Sequence, residues 1–163
     1  MKIIFLDIDG VLNHHNFYKG KDPNIIKILE LNLHLDPHSV KLLNAICEAT
    51  GAKIVLSSTW RRHQSLEVAR EIFKRKGFEG EIIDKTPDLT KDNPDFVRGN
   101  EILKWIKLNE ALLGNDYKNY KEYAILDDKT FFLYSQKDHL FLINPQTGLT
   151  QENGKEIIDF LSP

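Results

Sequence analysis

The sequence predicts an α/β fold built on a mainly parallel five-stranded sheet. Two observations carry that expectation. Five short apolar runs alternate along the chain with longer segments of helical periodicity, as βαβ units require. The runs are apolar without polar interruption, which suits strands covered on both faces. No internal repeat, low-complexity tract or linker divides the 163 residues, so one domain is expected over residues 1–163.

Ile3-Ile4-Phe5-Leu6 is the first run, too short for a helix and rich in strand formers. Further on, Leu29, Leu31, Leu33 and Leu35 alternate with Glu30, Asn32, His34 and Asp36, a period of two that reads as an extended strand or flap. A small flap is therefore expected within residues 13–36. Asp36-Pro37 reads as an N-cap with proline at the first helical position, and Gly51 as the stop. Val40, Leu43, Ile46 and Cys47 fall on one face of that helix.

Lys53-Ile54-Val55-Leu56 forms the second strand. A helix from about Ser65 to Lys76 turns Leu66, Ala69 and Phe73 inward and ends at Gly77. Glu81-Ile82-Ile83 is a weaker third strand, and Asp84–Asp95, with Pro94, reads as a loop. A third helix is expected from Arg98 to Leu113, burying Ile102, Trp105, Ile106 and Leu113, with Gly114 after it. Tyr123-Ala124-Ile125-Leu126 and Leu140-Phe141-Leu142-Ile143 supply strands four and five. A last helix covers Glu152–Leu161 with Thr150 as its cap.

Composition narrows the class. Hydrophobic residues make up 41% and charged residues 28%, ordinary globular values that argue against disorder or a coiled coil. The single cysteine, Cys47, excludes an internal disulfide framework and a cysteine-based metal site, and its apolar helical face marks it as inert core. A net charge of −2 does not suggest a surface that grips nucleic acid everywhere. The apolar stretch after Met1-Lys2 is too short for a signal peptide, and no run approaches the ~20 residues of a membrane span. A soluble, cytoplasmic protein is expected, with no membrane and no obligate protein partner.

Three runs end in polar residues: Asp7-Ile8-Asp9-Gly10, Ser57-Ser58-Thr59 and Asp127-Asp128. If these strands are neighbours, their carboxylates and hydroxyls converge on the carboxyl rim, where α/β sheets bind ligands. Carboxylates so close repel, and oxygen ligands without cysteine favour Mg²⁺. On a continuing strand Asp7 and Asp9 would share one face, leaving one to attack and one to exchange a proton. Carboxylate nucleophiles form aspartyl phosphates. Ser57, preferred over Ser58, would hold phosphate oxygens with nearby N–H groups, and Arg98 would neutralise charge on the transferring group. An EF-hand does not fit, because Gly10 follows Asp7 by three residues rather than five.

Phe5-Leu6-Asp7-Ile8-Asp9-Gly10-Val11-Leu12 resembles the first motif of the haloacid dehalogenase (HAD) superfamily. Ile54-Val55-Leu56-Ser57 resembles its second, Arg98 stands where its third-motif Lys or Arg belongs, and Ile125-Leu126-Asp127-Asp128 is similar to its acidic fourth. The resemblance implies a Rossmann-like three-layer sandwich and an Mg²⁺-dependent two-step phosphomonoester hydrolysis. Asp7 would attack phosphorus, and Asp9 would protonate the leaving oxygen and then activate water. Mg²⁺ would be held by the Asp7 carboxylate, the Asp9 carbonyl and an aspartate of the pair Asp127/Asp128.

The wording Ser57-Ser58-Thr59-Trp60-Arg61, Arg98-Gly99-Asn100-Glu101-Ile102 and Leu126-Asp127-Asp128 is similar to small HAD domains grouped with RNA-repair proteins. The acidic pair Asp127-Asp128 is also similar to that of polynucleotide 3′-phosphatases, without the kinase P-loop that accompanies them. Terminal (3′) phosphates of nucleic acid are the substrate this implies. Small phosphometabolites, phosphoproteins or a non-catalytic cation-binding role are the alternatives. The intervals around the motifs leave no room for a large cap, so the site is expected to be open. Arg61, Arg62, His63, Arg70, Lys74, Arg75 and Lys76 suggest a basic face beside the second strand. Thr59, Arg61 and His14 are candidates for further substrate contacts. Trp105 reads as core, and Trp60 as either core or a stacking surface.

Overall fold

The five apolar runs become one five-stranded sheet. The computed structural model describes residues 1–22, 24, 34–90, 97–113 and 123–162. The strands are β1 (Ile3–Leu6), β2 (Lys53–Leu56), β3 (Ile82–Lys85), β4 (Tyr123–Asp127) and β5 (Leu140–Leu142), in spatial order β3-β2-β1-β4-β5. All four pairings are parallel. The chain starts in the middle, builds outward to β3, then returns to the other side of β1 for β4 and β5. The order reverses between β1 and β4, which is where such sheets open a binding crevice.

The helices are α1 (His15–Tyr18), α2 (Pro37–Thr50), α3 (Leu66–Arg75), α4 (Arg98–Leu108), α5 (Glu110–Leu113) and α6 (Gln151–Leu161). Asp36 caps α2 by accepting from the His38 N–H, Pro37 opens it, and Gly51 ends it at φ 69°. That left-handed backbone is open to glycine at little cost. Ser65 caps α3, and Thr150 with Asn153 forms a reciprocal capping box on α6. Short 3₁₀ turns at Thr59–Arg62 and Tyr134–His139 were not foreseen from sequence.

Alternation along the strands divides the core between two faces. Ile4, Leu6, Ile54, Leu56, Ala124 and Leu126 pack with α2, α3 and α6 residues such as Leu43, Ile46, Phe73 and Ile157. Ile3, Phe5, Val55, Tyr123 and Ile125 point the other way, against Ile102, Trp105 and Ile106 of α4. The Phe5 and Trp105 rings meet edge to face at 5.4 Å. Trp105 is core, as expected, and its Nε1 donates to Asp84 at 2.6 Å. Cys47 is also buried core, and burial pushes its thiol up to about 12.

Three boundaries differ from expectation. β3 includes Asp84 and Lys85, assigned to a loop from sequence, because Asp84 pairs with Val55 after a shift in register. The expected helix Arg98–Leu113 stops at Leu108 and resumes at Glu110, since the Asn109 N–H closes onto Ile106 while its side chain donates to the Trp105 carbonyl. The last helix begins one residue early, at Gln151. Of the alternating leucines, Leu29, Leu31 and Leu33 lie outside the described residues, as do Pro94 and Gly114, whereas Leu35 is buried. Among the described residues no cap stands over the sheet rim, and no helix is long and apolar enough to cross a membrane.

Candidate active site

The register of the three central strands assembles the site. Leu6 pairs with both Leu56 and Leu126, so the next residues, Asp7, Ser57 and Asp127, emerge side by side. Backbone bonds hold them level: the Asp7 N–H donates to the Leu126 carbonyl at 2.9 Å, and the Ser57 N–H to the Leu6 carbonyl at 3.0 Å. By the two-residue period they continue the column Phe5, Val55, Ile125, which faces α4. The first residue of α4 is Arg98. Its Nη1 donates to Asp7 Oδ2 at 2.7 Å and pairs as well with Asp127 Oδ2.

Asp7 and Asp127 are buried. Oxygens of Asp7, Asp127 and Asp128 all lie within 4.8 Å of one another, close enough to share a metal ion. Lys129 Nζ donates to Asp128 Oδ2 at 2.8 Å. Among the described residues, three carboxylates thus face two cations, Arg98 and Lys129. Burial, then the Asp7 charge, push the Asp127 carboxyl up to about 7 despite Arg98. Burial works against the Arg98 charge, but Asp7 and Asp127 outweigh it and raise its pKa. Oxygen donors with unbalanced negative charge are the chemistry a hard divalent cation fits. Gly10, at φ 85°, lets the chain turn hard against this cluster; a Cβ there would fall 2.7 Å from the Asp128 side chain.

Asp9 does not share a strand face with Asp7, because β1 ends at Leu6. It stands exposed on the wall of an open cleft of about 690 Å³ that Asp7, Asp128 and Arg98 also line. Asn13 Nδ2 donates to Asp9 Oδ1 at 2.8 Å, and Trp60 Nε1 to Oδ2 at 2.9 Å. Asn13 and Lys129 escaped the sequence reading, although Lys129 directly follows the acidic pair. Tyr18, His15 and His34 also line the cleft.

The remaining candidates separate. Ser57 is fully buried, and its Oγ has no hydrogen-bond partner among the described residues. Ser58 is buried too, but its Oγ caps the 3₁₀ turn by accepting from the Trp60 N–H. Thr59 is exposed on the cleft wall. His14 lines the cleft, yet its Nε2 lies 3.0 Å from Asp36 and its Nδ1 accepts from the Phe17 N–H. That ties it to the α2 cap.

Arg61 requires a correction. It is buried, not part of an exposed basic face. Its guanidinium donates to the carbonyls of Ser57, Ser58 and Thr86 at 2.7, 2.8 and 3.1 Å and pairs with buried Glu101. Burial lowers its pKa, and Glu101 opposes that. Three of the six other residues of the expected basic face are engaged as well. Arg62 lies 3.4 Å from Asp88, Arg70 donates to the Ile82 and Ile83 carbonyls, and Arg75 pairs with Glu71.

Residues 3–153 match the family model described as the HAD domain in Swiss Army Knife RNA repair proteins. The chain belongs to that family. No curated protein and no solved structure matches it.

Proposed function

We propose that this protein is a magnesium-dependent phosphomonoester hydrolase acting on a terminal phosphate of nucleic acid, in the first place a 3′-phosphate on RNA. The observation that carries the reading is the level row of Asp7 and Asp127, met by Arg98 under an open cleft with Asp9 on its wall. The RNA assignment draws on the family, whose description places such domains in RNA repair proteins. The open cleft supports it, since a polymer end needs access that a cap would deny.

In the proposed reaction an Asp7 carboxylate oxygen forms a bond to phosphorus as the ester P–O bond breaks. The leaving oxygen keeps the electron pair and takes a proton from Asp9. Water then attacks the aspartyl phosphate, gives its proton to Asp9 and releases inorganic phosphate, restoring Asp7. Arg98 orients Asp7; its bonds to Asp7 and Asp127 fall on one nitrogen of a group with five N–H donors, so the guanidinium has capacity for phosphoryl oxygens. Ser57 Oγ, buried without a partner among the described residues, is suited to another of those oxygens. Magnesium, held by Asp7, Asp127, Asp128 and the Asp9 carbonyl, would supply positive charge against the phosphoryl oxygens.

The test measures phosphate release with and without Mg²⁺ from 3′-phosphorylated, 5′-phosphorylated and mononucleotide substrates at controlled salt. The expected result is the highest kcat/KM on the 3′-phosphorylated oligoribonucleotide and a loss of at least ~10³-fold in Asp7→Asn. Equal kcat/KM on oligonucleotides and mononucleotides would remove the nucleic-acid assignment. Release that survives in Asp7→Asn would remove the nucleophile.

A further inference from the structure

Asp9 is an exposed side chain, yet both its oxygens are held. Asn13 Nδ2 lies 2.8 Å from Oδ1 and Trp60 Nε1 lies 2.9 Å from Oδ2. Chemistry fixes the direction of both bonds. An indole nitrogen can only donate. The Asn13 carboxamide oxygen accepts from the Gly10 N–H at 3.2 Å, which leaves its NH₂ facing Asp9. Hydrogen bonds to a carboxylate are among the stronger ones and restrict its rotation.

The two donors reach Asp9 by different routes. Asn13 belongs to the same turn, bridging back to Asp9 and accepting the Gly10 N–H on its own carbonyl at 2.8 Å. Trp60 comes from the 3₁₀ turn after β2, capped by Ser58 and pinned beneath by buried Arg61 and Glu101. Its ring packs against the core cluster that holds α3, so its position is set by the fold rather than by the cleft. We infer that Trp60, with Asn13, is a positioning residue that aims the Asp9 carboxyl at the leaving oxygen. The inference rests on the acid role proposed for Asp9 and assigns that role its support.

Such a residue acts only when the leaving oxygen needs a proton. A nucleoside or alkyl phosphate expels a strongly basic oxygen and depends on Asp9, whereas a p-nitrophenyl phosphate expels a stable phenolate and does not. The measurement is therefore kcat/KM for Trp60→Phe on both substrates, with Mg²⁺ present. This ratio reports steps up to departure of the leaving group and excludes the later hydrolysis of the aspartyl phosphate, where Asp9 acts as base. Phenylalanine keeps most of the ring packing and removes the N–H. The expected result is a roughly 10- to 100-fold fall for the nucleoside phosphate and a change within about 3-fold for the aryl phosphate.

In an Asp9→Asn background the same substitution should add no further fall. A partly unfolded variant lowers both substrates by one factor, so the ratio between them is insensitive to stability. An equal fall on both substrates, or a full effect in the Asp9→Asn background, overturns the inference. Absence of turnover in the unsubstituted protein would instead overturn the phosphatase reading on which it rests.

Discussion

Two arginines meet buried carboxylates among the described residues, and the two centres are built to opposite ends. Arg61 is closed in: its fork is spent on four carbonyls, those of Ser57, Ser58, Thr86 and Pro87, and Glu101 balances its charge. Arg98 stands at the cleft, where a single nitrogen serves two carboxylates and a third lies within metal-sharing distance of both. The first centre is complete in its partners and neutral in sum. The second is short of positive charge. Complete pairing makes a structural joint, and incomplete pairing marks a place where a ligand changes the energetics.

The largest effect that would break this contrast lies at the closed centre. Glu101→Gln keeps the shape but leaves the Arg61 charge buried without a counter-charge, and a loss of about 3–5 kcal/mol in urea unfolding is expected. A change below about 1 kcal/mol would mean that the carbonyls alone hold Arg61. At the cleft the order of effects should invert. Arg98→Met should lower kcat/KM by roughly 10²–10³-fold through loss of charge stabilisation, with a smaller stability loss than Glu101→Gln shows. Equal destabilisation in both variants would erase the distinction.

The contrast was invisible in the sequence, where Arg61 reads as a substrate contact on a basic face and Arg98 as a phosphate ligand, both turned towards substrate. The strands were legible because Ile3–Leu6, Ile54–Leu56 and Tyr123–Leu126 are buried on both faces, and burial on both faces writes itself as an unbroken apolar run. The Asp7, Ser57 and Asp127 row followed, since each is the first residue after its run's apolar stretch. Arg61 could not be read the same way. Its burial depends on Glu101, 40 residues away, and a lone sequence does not pair distant residues. Trp60 and Asp9 are 51 residues apart and escaped for the same reason. Asn109 escaped differently: Leu113 rejoins the same cluster as Ile102 and Trp105 after the break, so the helical period hides the interruption.

The smallest effect, and the sharpest for the open centre, is a pH dependence of metal binding. Asp127 is pushed up from the usual 3.8 to about 7 by burial and then by the Asp7 charge. Above pH 3.8 the unfolded chain has given up a proton that the metal-free folded protein still holds, so this group's contribution to stability falls as pH rises towards 7. A divalent cation needs the ionised carboxylate, and its binding has the opposite dependence. Between pH 6 and 8 the ionised fraction at a pKa near 7 grows about tenfold, and Mg²⁺ affinity should grow with it. At an Mg²⁺ concentration well above Kd that adds about 1.4 kcal/mol of stabilisation. Thermal unfolding with and without Mg²⁺ across this range measures it, with Asp127→Asn as the control expected to lose the trend. Mg²⁺ stabilisation that stays flat from pH 6 to 8 would mean that the ion does not need Asp127 ionised, and that the charge deficit at Arg98 is met in another way.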